Sequence, residues 1–196
     1  MTTLTVYPTQ SGDDASQSSA GTVLLGQAGG GLGSTLPYWG CRFENITIAG
    51  GSSISSATLS LYGLNSKNVS LSSAVIKGVL QANPGVFTTT TSSVSTLYTG
   101  SPTTNSYSWT GTLSTSAYLA SGSFAPIITE LIAQGGWASG NAVALVIAYG
   151  ASNALYYAYG TGSPKYEELT ITYTSGGANL PAPLFVGQAV KRASFS

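Results

Sequence analysis

Apolar residues fall in short runs along this chain, and the spacing of each run predicts its element. The most apolar run is Ala142 to Tyr149, AVALVIAY, with Val143, Leu145, Ile147 and Tyr149 on one parity and Ala144, Val146 and Ala148 on the other. Both faces are apolar, which predicts a strand covered on both sides at the centre of a sandwich. Gly140 and Gly150 leave only nine residues between them, too few for a comfortable helix, and the β-branched residues favour the strand.

Other runs alternate more cleanly. Leu4 and Val6 sit between Thr3, Thr5 and Tyr7, a short strand that Pro8 closes. Residues 9–21 read as a polar loop, and Val23-Leu24-Leu25 as a small apolar run. Tyr38 to Ile48 predicts a long strand. Trp39, Cys41 and Phe43 share one parity while Ile46 and Ile48 take the other, so a bulge or change of face is expected near Glu44-Asn45. Ala57, Leu59 and Leu61 alternate with Thr58, Ser60 and Tyr62, and Val69 to Leu80 forms another strand before the Asn83-Pro84-Gly85 break. From Phe87 to Tyr118 periodicity is weak, which predicts long loops with one or two short strands, Ser106 to Trp109 being the leading candidate. One helix follows, with Ser123 as its cap, Pro126 in its first turn, and Ile127, Ile128, Leu131 and Ile132 on one face. Gly135-Gly136 ends it. A Tyr-rich return over Leu155 to Tyr159 and a last strand, Tyr166 to Thr174, complete the body. The expected fold is therefore all-β: a sandwich of two antiparallel sheets with one short helix over residues 1–175, then an extended C-terminal arm over 176–196.

Composition narrows the function more than it names it. Charged residues make up 6% of the chain, against about a quarter in ordinary soluble domains. Six basic residues balance six acidic ones, so little repulsion separates copies, and a homo-oligomer is expected. Without a basic run the chain is not expected to bind nucleic acid. No apolar run approaches a membrane span, and MTTLTVYPTQ lacks the basic-then-apolar pattern of a secretion signal, so synthesis and use without secretion, or release by lysis, are expected.

Candidate chemistry is sparse. With no His and a single Cys, Cys41, the usual nucleophile–base pairs and thiolate metal sites are not expected, nor is a cofactor. Cys41 reads as a small buried thiol. The Gly-rich QAGGGLGSTLP at 27–37 lacks the Lys-Ser or Lys-Thr and the helix that a phosphate cradle needs. Glu167 and Glu168 are adjacent on a strand and face opposite ways, and Glu44 has Arg42 on its own face as a partner, so a glycosidase pair is not expected. Asp13-Asp14 reads either as a solvated loop or as part of a calcium site built with loop carbonyls. Tyr149, Tyr156, Tyr157 and Tyr159 suit either subunit contact or stacking on a sugar ring.

Three stretches taken together carry a resemblance: RFENITIAGGSSISSATLSLY at 42–62, the helix followed by Trp137 and GNAVAL at 140–145, and YEELTITYT at 166–174. They resemble jelly-roll domains of the DNRLRE type, which are similar to carbohydrate-binding modules, and more so the versions found in bacteriophage virion proteins. The acidic and Arg residues that name the family are missing here, so no ligand or ion site carries over. The resemblance implies a jelly-roll β-sandwich and a non-enzymatic virion structural protein of a tailed phage. Such a protein would be made in the host cytoplasm and attached to capsid or tail subunits as a decoration, cement or fibre-associated module. A homotrimer is the first expectation for its oligomeric state, with a dimer as the alternative. A carbohydrate-binding module or receptor-binding tail component is the alternative function. The arm, ANLPAPLFVGQAVKRASFS, cannot form its own core. It is expected either to fray or to dock on a neighbour, with Leu184, Phe185, Val186 and Phe195 as apolar contacts and Lys191 and Arg192 meeting carboxylates.

Overall fold

A computed structural model describes residues 1–27, 30–64, 68–149, 154–156 and 166–176. In chain order the strands are β1 (Thr2–Val6), β2 (Asp14–Gln17), β3 (Val23–Leu25), β4 (Gly30–Leu32), β5 (Tyr38–Phe43), β6 (Ser53–Tyr62), β7 (Val69–Val79), β8 (Pro102–Leu113), β9 (Tyr118–Ala120), β10 (Val143–Ala148), β11 (Ala154–Tyr156) and β12 (Glu168–Thr174). Two helices interrupt them, α1 (Ser93–Gly100) and α2 (Ala125–Ile132). One sheet has the order β1-β12-β6-β9 and the other β3-β2-β5-β10-β7-β8, while β4 and β11 form a separate pair. All these pairings are antiparallel. The first sheet joins the first and last strands, the second holds β10 among its inner strands, and together they make an all-β sandwich.

Period-2 patterning produced the main core. Trp39, Cys41 and Phe43 of β5, Ala57, Leu59 and Leu61 of β6, Val143, Leu145 and Ile147 of β10, and Leu169 and Ile171 of β12 are all buried in one cluster. The change of face expected after β5 occurs at Asn45, which adopts the left-handed region with φ 55°. Asn tolerates that conformation through its short polar side chain. The reversal lets Ile46 and Ile48 join the same core despite their opposite parity.

β10 is buried on both faces for a specific reason. Its inner residues meet the main core, whereas Ala144 and Val146 belong to a second cluster with Ala15, Val23, Val79, Phe87 and Val94. Val94 comes from α1 and Phe87 from the preceding loop, so the outer face of the six-stranded sheet is roofed rather than open to water. Gly40 on β5 makes the roof possible: a Cβ there would stand 2.5 Å from the Phe87 ring.

The structure corrects four expectations. Residues 9–21 are not a plain polar loop; they contain a 3₁₀ turn, Ser11–Asp13, and the fully buried strand β2. The Thr/Ser tract yields a second helix, α1, which local propensity disfavours. Gln17 supplies what α1 lacks: its Oε1 accepts from Ser95 N at 2.9 Å and its Nε2 donates to Ser95 Oγ at 2.8 Å. The same tract also yields β8, much longer than the predicted Ser106–Trp109. α2 forms where expected, with Ile127, Ile128, Leu131 and Ile132 buried. Its N-cap is Phe124 rather than Ser123, whose hydroxyl instead accepts from Ala57 N and Ala125 N.

Two substitutions test this construction by urea denaturation. Leu145→Asp places an unpaired carboxylate between Cys41 and Gly78 of the flanking strands and is expected to abolish folding. Phe87→Ala removes the roof over Gly40 and is expected to cost about 3–5 kcal/mol while the fold persists. A cooperatively folded Leu145→Asp chain would overturn the position of β10.

Candidate functional site

The last described residue is Gly176, and the arm leaves from there. β12, which leads to it, is not an edge: it pairs with β1 from Val6↔Leu169 to Thr2↔Tyr173, and with β6 from Ser60↔Glu168 to Ser53↔Thr174. Ser52 Oγ accepts from Gly176 N at 3.2 Å, and Tyr173 Oη donates to Thr47 O at 3.5 Å. The exit is therefore tied to an inner strand and to the β5–β6 connection. The arm residues expected to make contacts, Leu184, Phe185, Val186, Lys191, Arg192 and Phe195, lie outside the described residues.

The tyrosines separate. Tyr149 is 2% exposed, packs in the main core, and donates its hydroxyl to Ser70 O at 3.1 Å. Its ring serves the fold, and the residue also lines a surface depression. Tyr156 ends β11, paired with Gly30, and Tyr157 and Tyr159 lie outside the described residues. Sequence reasoning missed an aromatic group beside Tyr149. Tyr38 and Tyr98 lie 5.6 Å apart between centroids, and Lys77 Nζ sits 4.3 Å above the Tyr98 ring. Tyr38 also lines a depression of about 240 Å³ with Pro37, Ser73, Val75, Ala148 and Tyr149. No periodicity links Tyr38, Lys77 and Tyr98; only the placing of α1 brings them together.

The acidic residues form two different environments. Arg42 Nη1 donates to Asp13 Oδ1 and to Glu44 Oε1, both at 2.6 Å, and Arg42 Nε donates to Pro84 O at 2.7 Å. Asp13 Oδ2 also accepts from Thr9 N, Thr9 Oγ1 and Gln10 N. The expected Arg42–Glu44 pair thus exists, and Asp13 joins it. The Arg42 hydrogen bond is the main reason Glu44 titrates below the usual carboxylate range. Neither Asp13 nor Asp14 is solvated: they are 0% and 1% exposed, which removes the loop reading of that pair. The group is a knot that ties the β1–β2 connection to β5 and the β7–α1 loop.

The second environment is an interior acid pair. Asp14 accepts from Trp39 Nε1 at 2.9 Å, and Glu167, just before β12, is 0% exposed with no hydrogen-bond partner on either carboxylate oxygen. Ser16 Oγ, on the same parity of β2 as Asp14, is also buried without a partner. Burial raises Asp14 to about 7, opposed by the Trp39 hydrogen bond. Burial, and secondarily the Asp14 charge, pushes Glu167 well above the carboxylate range. Burial and both carboxylates push the Cys41 thiol up as well, which keeps it an inert thiol. Among the described residues no three His, Cys, Asp or Glu side chains come together as a metal cage.

The acid pair gives a pH prediction whose sign is fixed. The folded chain holds these two protons more tightly than the unfolded chain does. Their stabilising contribution is complete below the ordinary carboxylate pKa, then is lost as pH rises through the raised pKa of each group, about 7 for Asp14. Every tenfold tightening of the hold on a proton is equivalent to about 1.4 kcal/mol. The melting temperature is expected to fall between about pH 5 and about pH 7, and Glu167→Gln to flatten the fall. A wild-type melting temperature that stays level or rises across that range would contradict the burial of the pair.

No protein-family model matches the chain, and no curated protein is similar enough in sequence to count as a match.

Proposed function

We propose that this chain is a non-enzymatic structural component of a bacteriophage virion, a decoration, cement or tail-associated module that attaches to neighbouring subunits through residues 176–196. The observation that carries the reading is the exit at Gly176. It follows β12, which is hydrogen-bonded on both sides, and it is pinned by Ser52, so a pull on the arm is shared by β1, β12 and β6. The near-absence of charge, 6% of residues with zero net charge, suits a surface that works among other subunits. Leu184, Phe185, Val186 and Phe195 supply apolar contacts, and Lys191 and Arg192 meet carboxylates.

A glycan-binding reading has one observation of its own, the Tyr38–Tyr98 pair with Lys77 beside the Ser73–Val75 depression. Loss of retention on a glycan array by Tyr38→Ala, with an unchanged melting temperature, would favour it.

Deleting residues 178–196 tests the main reading directly. The truncated chain is expected to fold with an unchanged melting transition and to load onto particles at least about tenfold less well, the equivalent of about 1.4 kcal/mol or more. Normal copy number for a folded truncation would remove the arm as the anchor.

A further inference from the structure

An edge strand leaves half of its backbone groups without a partner, so sheet edges are where copies of a β-protein can join. The two main sheets end in β1, β9, β3 and β8. Three of these are short, with five residues in β1 and three each in β3 and β9, and shortness protects an edge from pairing. β8 runs for twelve residues and pairs on one side only, with β7. Its first part is guarded. The register shifts between Lys77↔Ser106 and Val79↔Pro102, and there the Glu130 carboxylate accepts from Thr104 N at 2.6 Å and Asn105 N at 3.0 Å. Thr103 Oγ1 also donates to Asn105 O at 2.7 Å. From Ser106 to Leu113 this protection stops. Among the described residues, none hydrogen-bonds to the outward backbone groups of that stretch. It also has no Pro and no charged side chain, the other usual defences of an edge.

The complement of a bare antiparallel edge is the same edge turned about a two-fold axis normal to the sheet, which sets each outward N–H against a C=O. A second copy brings an edge of equal length. The strand carries no charge and the chain no net charge, so copies meet without repulsion. The single charge on β7, Lys77, is directed onto the Tyr98 ring, 4.3 Å from its centroid. Opposite residues of an antiparallel pair point to the same face, so the axis must pass through a residue. Centring it on Trp109 would set Leu113 of the second copy against Asn105, whose N–H Glu130 already holds. Centring it on Thr110 overlaps Tyr107–Leu113 with itself and leaves the guarded end unopposed. We propose that this edge is a dimer interface, in which Tyr107–Leu113 pairs antiparallel with the same residues of a second copy about a two-fold axis at Thr110. The two six-stranded sheets become one continuous sheet. About six to eight backbone hydrogen bonds form, within the range of about 5–15 direct bonds in an ordinary interface. Ser108 and Thr112, both exposed, face each other across the pair, where hydroxyl partners are favourable. The pairing goes beyond the attachment reading and makes no use of residues 177–196.

Disulfide trapping in the full chain tests the register. Thr110 is exposed and Cys41 is buried, so Thr110→Cys supplies the accessible thiol. At the axis the two Thr110 Cα atoms stand about 4.5–5.5 Å apart, inside the disulfide range. Thr110→Cys is expected to give a covalent dimer under mild oxidation. Ser106 is also exposed, but its two copies would lie about 27 Å apart, so Ser106→Cys is expected to stay unlinked. Failure of Thr110→Cys to link, or equal linking by both variants, would overturn the pairing. Sedimentation supplies the second readout. Ser108→Lys combined with Thr112→Lys sets like charges opposite each other twice, on an exposed face, and is expected to weaken dimerisation at least about tenfold. Mixing that chain with one carrying Ser108→Glu and Thr112→Glu is expected to restore dimers as mixed pairs, which a misfolded variant would not do. Undiminished dimerisation of the lysine variant, or a mixture that forms no mixed pairs, would refute the interface. A wild-type chain that is monomeric at micromolar concentration would refute it too, leaving the edge to a strand of another protein.

Discussion

Keeping both faces of β10 dry is the constraint from which most of this structure follows. A strand with Val143, Leu145 and Ile147 on one side and Ala144 and Val146 on the other cannot sit on an open sheet. The inner face is met by the four-stranded sheet and α2. Among the described residues the outer face is covered by the chain between β7 and β8, which folds back as a roof of Phe87, Val94 and Leu97. Full burial of side chains of this size is worth about 1.5–3 kcal/mol each, which is enough to impose a helix on the Ser/Thr-rich SVSTLYTG. The small outward residues follow from the same demand: Gly40 and Ala144 leave room for the covering side chains.

Polar groups trapped by this closure divide by whether they found a partner. Arg42 satisfies Asp13 and Glu44 and reaches the Pro84 carbonyl, so one guanidinium links three separate connections. Removing any one of its partners would leave a buried or half-buried charge, which is where such networks become costly. Glu167 has no such arrangement. Its placement inward follows from register alone, because Leu169, Ile171 and Tyr173 share its parity. Holding a proton is the least costly way to keep that carboxyl neutral in the interior. Stability and pH are thereby coupled through the strand that leads to the arm.

That strand connects the fold to the proposed attachment. β12 lies between β1 and β6, and its last residues are fixed by Ser52 and Thr47. A contact made by the arm is therefore transmitted to the interior of a sheet, where strands resist separation along many hydrogen bonds.

The alternating positions of the chain determined the sandwich, its principal core and the double burial of β10, because a period of two in apolar residues can be satisfied only by strands with a covered face. They also signalled the reversal at Asn45 and the pairing of Arg42 with Glu44, both local in sequence. β2 was not legible: DASQ has no apolar alternation, and its burial comes from lying between β3 and β5. Nor was α1, whose helical state depends on Gln17 from 78 residues away satisfying Ser95. Tyr149 illustrates the same limit. Its parity placed it beside Leu145 and Ile147, but only packing decided that its ring would be enclosed and its hydroxyl bound to Ser70. Local pattern specifies which face of an element is apolar. What covers that face, and which polar groups are carried inside with it, is decided by contacts between residues far apart in sequence, and those exist only once the sheets have closed.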